Sequence, residues 1–308
     1  MPHVDFSAAA STGELIGVSS RAPYVLRMTQ IAFIGTGLLG SALAEAAANR
    51  GDEVTVWNRT TEKARRLEQF GIRVAETPAD AVRGAERVHL VLKDDPVVEA
   101  VIAALRPGLA ADGIILDHTT TLPARTAQRA QRLAAEGVHY LHCPVFIGPA
   151  AARAGMGTVL AAGPRALYDR VSTALSRMAQ RVEYFGERPD LAAVYKLCGN
   201  AMIVGVSAMA ADVYAVAAGA GLSAEDAIRI RDILNPPILS ARAESMVAGN
   251  FSPSFELTMA RKDVRLMLET AESRPLAALA AIASRMDTLI AQGHGSKDLA
   301  VLGIDSVS

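Results

Sequence analysis

Gly35-Thr36-Gly37-Leu38-Leu39-Gly40 directly follows an apolar run at 31–34 and opens an alanine-rich helical stretch that continues to Arg50. No other feature of the 308-residue chain restricts its fold so much. In a strand–loop–helix turn the first glycine permits the tight reversal and the second lets a ligand come up against bare backbone. The third lets helix and strand pack closely. The unpaired amides at the helix start then face an anion. In this context Gly35, Thr36, Gly37, Leu38, Leu39 and Gly40 read as a turn that cradles the pyrophosphate of a dinucleotide.

The alternation of short β-branched runs and helical stretches continues beyond that turn. Strands are expected at 53–57, 72–75, 87–92, 114–117, 139–142, 158–162 and 181–185, with a helix over 61–70. This rhythm predicts an α/β fold, a Rossmann-type doubly wound parallel sheet. After Pro189 the strand signals stop, and helices rich in Ala, Leu and Met follow, punctuated by Gly219, Gly221, Asn235-Pro236-Pro237 and Gly249-Asn250. The expected organisation is a dinucleotide-binding domain at 28–189 and an all-α substrate and dimerisation domain at 190–308. The second begins with a long interdomain helix over 190–218, too apolar for the surface and expected to cross the middle of a bundle and reach a subunit interface. Residues 1–27 precede a second methionine, Met28, and read as a disordered leader or tag: they lack a continuous apolar core for secretion, and Asp5 and Glu14 oppose a transit peptide.

With a formal net charge of -1 and no long run of one sign, the chain is not built for nucleic acid or an anionic membrane surface. The stretch at 197–211 contains Asn200, is flanked by Lys196 and Asp212, and falls short of a span of ~20 apolar residues. Cys143 and Cys198 form no CxxC pair and no histidine cluster accompanies them, so neither a disulfide nor a metal is expected, and a reducing, cytoplasmic setting is.

The second strand ends in Trp57-Asn58-Arg59-Thr60, where an acid would bind the ribose hydroxyls of NAD. Arg59 can instead stack on adenine or pair with a 2′-phosphate, helped by Asn58 and Thr60, which favours NADPH over NADH. On the long helix, Lys196 and Asn200 share one face at i, i+4 spacing. A lysine in apolar surroundings loses hydration and becomes able to give a proton near neutral pH, as a developing alkoxide requires. On the residues alone, a lysine that snorkels out of the bundle and an asparagine that caps a packing defect are the better account.

Loop, lysine and motif order together resemble the β-hydroxyacid dehydrogenase family, which includes 3-hydroxyisobutyrate dehydrogenase and the tartronate semialdehyde and glyoxylate reductases. The resemblance runs from Met28 to the C-terminus and extends to the NAD-binding domain of 6-phosphogluconate dehydrogenase. It implies that Lys196 is catalytic and Asn200 binds substrate, within the pattern KxxxN. Asp117-His118-Thr119-Thr120-Thr121-Leu122-Pro123 is similar to the family's D-x-[ST]-[ST]-x-x-P, which places Thr120 near the nicotinamide. Leu92-Lys93 stands for the strand-end loop beside the cofactor. The segment Phe255 to Asp263 resembles the one whose lysine, here Lys262, reaches the cofactor, and 293–298 resembles a structural closing loop. One motif departs: His142-Cys143-Pro144-Val145-Phe146-Ile147-Gly148 stands where the family reads D-A-P-V-S-G-G. Phe146 then either meets the substrate with apolar bulk, which suits a larger or more apolar carbonyl compound, or packs inward and leaves the main chain unchanged; backbone amides near Gly148 offer another way to bind a carboxylate. Cys143 reads as a small buried hydrophobe. The implied activity is NADPH-dependent reduction of a small aldehyde or keto acid, or oxidation of the corresponding hydroxy acid, by a homodimer or homotetramer. Two alternatives stay open: an imine reductase-like enzyme, a group that by the same resemblance usually carries Asp or Tyr at the place of Lys196, and a non-catalytic NADP-binding sensor.

Overall fold

The computed structural model describes residues 29–229, 239–271 and 278–306. The leader expected at 1–27 and the break at Asn235-Pro236-Pro237 lie outside the described residues. Strands β1 (Gln30–Ile34), β2 (Glu53–Trp57), β3 (Arg73–Val74), β4 (Arg87–Leu90), β5 (Ile114–Asp117) and β6 (His139–His142) form a six-stranded sheet in the order β3-β2-β1-β4-β5-β6. Every pairing in it is parallel. Helices α1 (Leu38–Asn49), α2 (Thr61–Arg65), α3 (Pro78–Ala81), α4 (Asp95–Leu105) and α5 (Pro123–Ala135) make the crossovers. Alternation along β1 shows why both faces must be covered: Ile31 and Phe33 enter one buried cluster, Ala32 and Ile34 the other. The strand order reverses between β1 and β4, and a sheet of this kind binds ligands in the crevice beyond that reversal.

Two expectations are corrected. The helix expected over 61–70 breaks after Arg65, and a 3-10 turn at Glu68–Phe70 closes on Gly71, whose φ of 73° lies in the left-handed region that glycine adopts freely. The strands expected at 158–162 and 181–185 do not extend the parallel sheet. They are β8 (Thr158–Ala161) and β9 (Arg181–Tyr184) of a separate three-stranded sheet that begins with β7 (Val145–Phe146). Pro144 has no amide hydrogen to continue β6; the chain turns there, and β7 runs antiparallel to β8. Helices α6 (Pro149–Arg153) and α7 (Arg165–Met178) complete this part.

From Leu191 the described elements are helices and one isolated bridge, Glu256 to Asp298. Helix α8 (Leu191–Gly219) packs Leu197 and Val204 against Leu257, Ala260, Val264, Met286 and Leu289 of the helices Leu257–Ala271 and Leu279–Leu289. The wider segment Leu191–Ala211, with mean hydropathy 1.4, is long and apolar enough to cross a membrane by length and composition alone, as a core helix also can be. Its outer face exposes Tyr195, Met202 and Met209, the last two at 62% and 59%. The loop at 293–298 is structural as expected, because buried Asp298 accepts from the amides of Ser254, Phe255 and Ala300.

Candidate active site

The dinucleotide turn sits where β1 meets α1, and each glycine has a distinct steric reason. Gly35 has φ 103°, and a Cβ there would stand 2.3 Å from the Val91 carbonyl oxygen. A Cβ on Gly40 would stand 2.0 Å from the carbonyl oxygen of Gly35, so only glycine lets α1 close on the turn. Gly37 is the opposite case: a Cβ there would meet nothing within 4 Å. The backbone of Gly37 therefore faces open space, and no side chain caps the helix start and no acid stands in its first turn. The free amides and the bare backbone fit a pyrophosphate. Thr36 N donates to Asn58 Oδ1 at 3.0 Å, and Asn58 Nδ2 donates to the Thr60 carbonyl at 2.9 Å. Asn58 thus ties the loop after β2 to the glycine turn, while Arg59 and Thr60 stay exposed beside it. Leu92 N donates to Thr119 Oγ1 at 3.1 Å, which joins the loops after β4 and β5; Leu38 and Lys93 are exposed and Leu39 half-buried.

Lys196 and Asn200 come together as their spacing implies, and two further charges join them. Lys196 Nζ donates to Asn200 Oδ1 at 3.0 Å, and Asn200 Nδ2 donates to Asp263 Oδ2 at 2.5 Å. Asp263 pairs with Lys262 at 2.6 Å, and Lys262 Nζ donates to the Thr120 carbonyl at 3.1 Å. A carboxylate only accepts, so Asp263 fixes which way the Asn200 amide points and turns its oxygen toward Lys196. Burial holds the Lys196 ammonium well below the usual lysine range, at about 8; the Asp263 charge opposes that shift and the Lys262 charge adds to it. An adjacent Lys-Asp pair usually means a solvated helix face. Here both side chains are buried, because the helix Leu257–Ala271 lies between α8 and the loop after β5.

Beneath this cluster is a buried polar layer that sequence reading missed. Asp117 accepts from Thr119 N at 3.0 Å and from the Tyr140 hydroxyl at 2.8 Å. Arg129, fully buried, donates to Asp95 at 2.6 Å and lies 3.6 Å from Asp117. Asp95 in turn accepts from Leu122 N at 2.9 Å, so the 117–122 segment is held from below. His118 Nδ1 lies 2.6 Å from the Cys143 carbonyl, which can only accept; the ring therefore carries its proton there and accepts from His89 Nδ1 at 2.9 Å. These partners come from β4, β5, β6, α4 and α5, and no local motif joins them.

Phe146 lies against α8. Its ring centroid is 4.1 Å from Lys196 Nζ, and a Cβ on Gly199 would stand 2.3 Å from the ring's Cζ. Gly148 precedes α6 with open space around its Cα, and Cys143 is buried, which pushes its thiol pKa up.

A glycine turn at the switch point of a parallel sheet, with a half-buried lysine on the following helical part, defines the scaffold of an NAD(P)-binding oxidoreductase. The family model for the NAD-binding domain of 6-phosphogluconate dehydrogenase matches residues 30–186. That described as NAD-binding of NADP-dependent 3-hydroxyisobutyrate dehydrogenase matches residues 191–303. The chain belongs to the β-hydroxyacid dehydrogenase family. Among curated relatives, the cytokine-like nuclear factor N-PAC of Gallus gallus is 30% identical over 267 residues, 82% of this chain and 47% of that protein. The chain thus spans about half the length of the N-PAC proteins it matches. An uncharacterized oxidoreductase of Shewanella frigidimarina is 29% identical over 265 residues, 82% of this chain and 90% of the relative. The 3-hydroxyisobutyrate dehydrogenase of Mycobacterium tuberculosis, solved with L-serine, shares the fold with a TM-score of 0.80 at 20% identity, over 91% of this chain and 100% of that one. Imine reductases share it with TM-scores from 0.58 to 0.63.

Proposed function

We propose that the protein reduces a small carbonyl compound with NADPH, or runs the reverse oxidation, with Lys196 as general acid/base. The observation that carries this reading is the Lys196–Asn200 hydrogen bond of 3.0 Å in a buried cluster that holds the lysine pKa at about 8. A bound dihydronicotinamide supplies the hydride. Lys196 gives its proton to the oxygen that becomes an alkoxide, and Asn200 and Asp263 hold the ammonium in place for that transfer. The glycine turn binds the pyrophosphate, and Arg59 selects the 2′-phosphate. The division near residue 189 into a dinucleotide-binding and a helical part, and a homodimer or homotetramer that covers Met202 and Met209, belong to the same proposal. Light scattering on the eluted protein would refute the latter by finding a monomer.

A protonated Lys196 is required for reduction, so kcat/KM falls as pH rises through about 8 and the oxidation rate rises over the same range. Lys196→Met loses turnover by about 100-fold or more while the NADPH affinity, measured by titration, is retained. Arg59→Ala loses affinity for NADPH but not for NADH. Unchanged turnover in Lys196→Met would end the reading. Imine reduction is the second reading, supported by the imine reductase of Streptomyces aurantiacus, 27% identical to this chain; a panel of cyclic imines and aldehydes separates the two.

A further inference from the structure

The groups around Lys196 constrain what stands beside the reacting carbon. Asn200 gives one of its two amide hydrogens to Asp263 at 2.5 Å and turns its oxygen to Lys196 at 3.0 Å. Lys262 is committed to Asp263 at 2.6 Å and to the Thr120 carbonyl at 3.1 Å. The Phe146 ring also stands beside the Lys196 ammonium, 4.1 Å away at its centroid. That ring cannot swing aside toward α8, because it already fills the space left by the missing side chain of Gly199. It packs against the buried cluster of Leu160, Ala162 and Ala192.

An aromatic face carries partial negative charge. It attracts an ammonium and repels a carboxylate, and it offers no hydrogen bond to a group that has shed its water. A carbonyl oxygen that takes its proton from Lys196 therefore carries a neighbouring substituent against an apolar wall. We infer that Phe146 is the specificity-determining residue of this site and selects aldehydes or ketones whose substituent there is uncharged and apolar, excluding those with a carboxylate. The inference rests on the carbonyl-reductase reading above and narrows its substrate class.

The test is kcat/KM with NADPH for aldehydes of matched length with and without a terminal carboxylate: propanal against 3-oxopropanoate, and butanal against 4-oxobutanoate. The wild-type protein favours the uncharged member by about tenfold or more. Phe146→Ser, which removes the wall and adds a hydroxyl, lowers that preference by at least about tenfold, whereas Phe146→Leu, which keeps an apolar wall, retains it. A wild-type preference for the carboxylates overturns the inference without need of any variant, as does a ratio that stays the same in Phe146→Ser. Turnover of neither series by protein that binds NADPH overturns the carbonyl-reductase reading itself, and the inference with it.

Discussion

At Gly199 one missing side chain decides the shape of the site. A glycine inside a helix is ordinarily improved by alanine, by about 0.5–1 kcal/mol, because the unfolded chain loses freedom and the helix gains propensity. Here the sign reverses, since a Cβ would stand 2.3 Å from Cζ and 2.9 Å from Cε1 of the Phe146 ring, which packs against Leu160, Ala162 and Ala192. Gly199→Ala is expected to destabilise the protein by about 1–3 kcal/mol. Phe146→Ala in the same chain removes the collision, and a thermal double-mutant cycle reads the coupling. Additive effects would mean that the ring and α8 do not meet. Asp263 shows the same dependence on neighbours: it turns the Asn200 oxygen toward Lys196 from a helix remote in sequence.

Among the elements, the β1–α1 turn separates folding from binding. A Cβ on Gly40 would stand 2.0 Å from the Gly35 carbonyl, so Gly40→Ala forces α1 off the strand and lowers thermal stability with or without ligand. Gly37→Ala meets no protein atom within 4 Å. It is expected to melt as the wild type does, yet to bind dinucleotide weakly, because the new methyl enters the space kept for the pyrophosphate. Calorimetry with and without NADPH checks both, and a Gly37→Ala protein that binds normally would remove the pyrophosphate from this turn. The small sheet of β7, β8 and β9 has a comparable role, since it carries Phe146 to the face of α8.

Across the whole molecule, three buried histidines make folding sensitive to acid. His89, His118 and His142 lie under the crevice, and burial keeps all three neutral; it lowers the His118 pKa from 6.5 to about 4. As pH falls below 6.5 the unfolded chain takes up protons that the folded chain refuses, so stability is complete above that value and is lost toward about 4. A proton taken up only by the unfolded chain costs up to about 1.4 kcal/mol of stability per pH unit within that window. The melting temperature is expected to fall steadily across it, and His89→Phe to make the fall shallower. A melting temperature that stays level over the same range would contradict this account.

How much of this could be read in advance follows from the range of the interactions. The glycine turn, the parallel β-α order, the helical C-terminal part and the Lys196–Asn200 pair were legible, because each depends on residues close in the chain: a turn of six residues, a strand period, or a single helical step. The role of Asp263, the Arg129–Asp117–Tyr140 layer and the histidine pair were not legible, since their partners lie 11 to 63 residues apart and meet only when strands and helices assemble. The small mixed sheet escaped for a related reason. Strand propensity marks where chain extends, whereas the sheet it joins is set by which edge is free after Pro144 ends β6. Local sequence thus determined the glycine turn and the spacing of Lys196 and Asn200. Only the tertiary packing decided that Lys196 is withdrawn from most of the solvent, that a carboxylate orients its partner, and that an aromatic ring stands across from it.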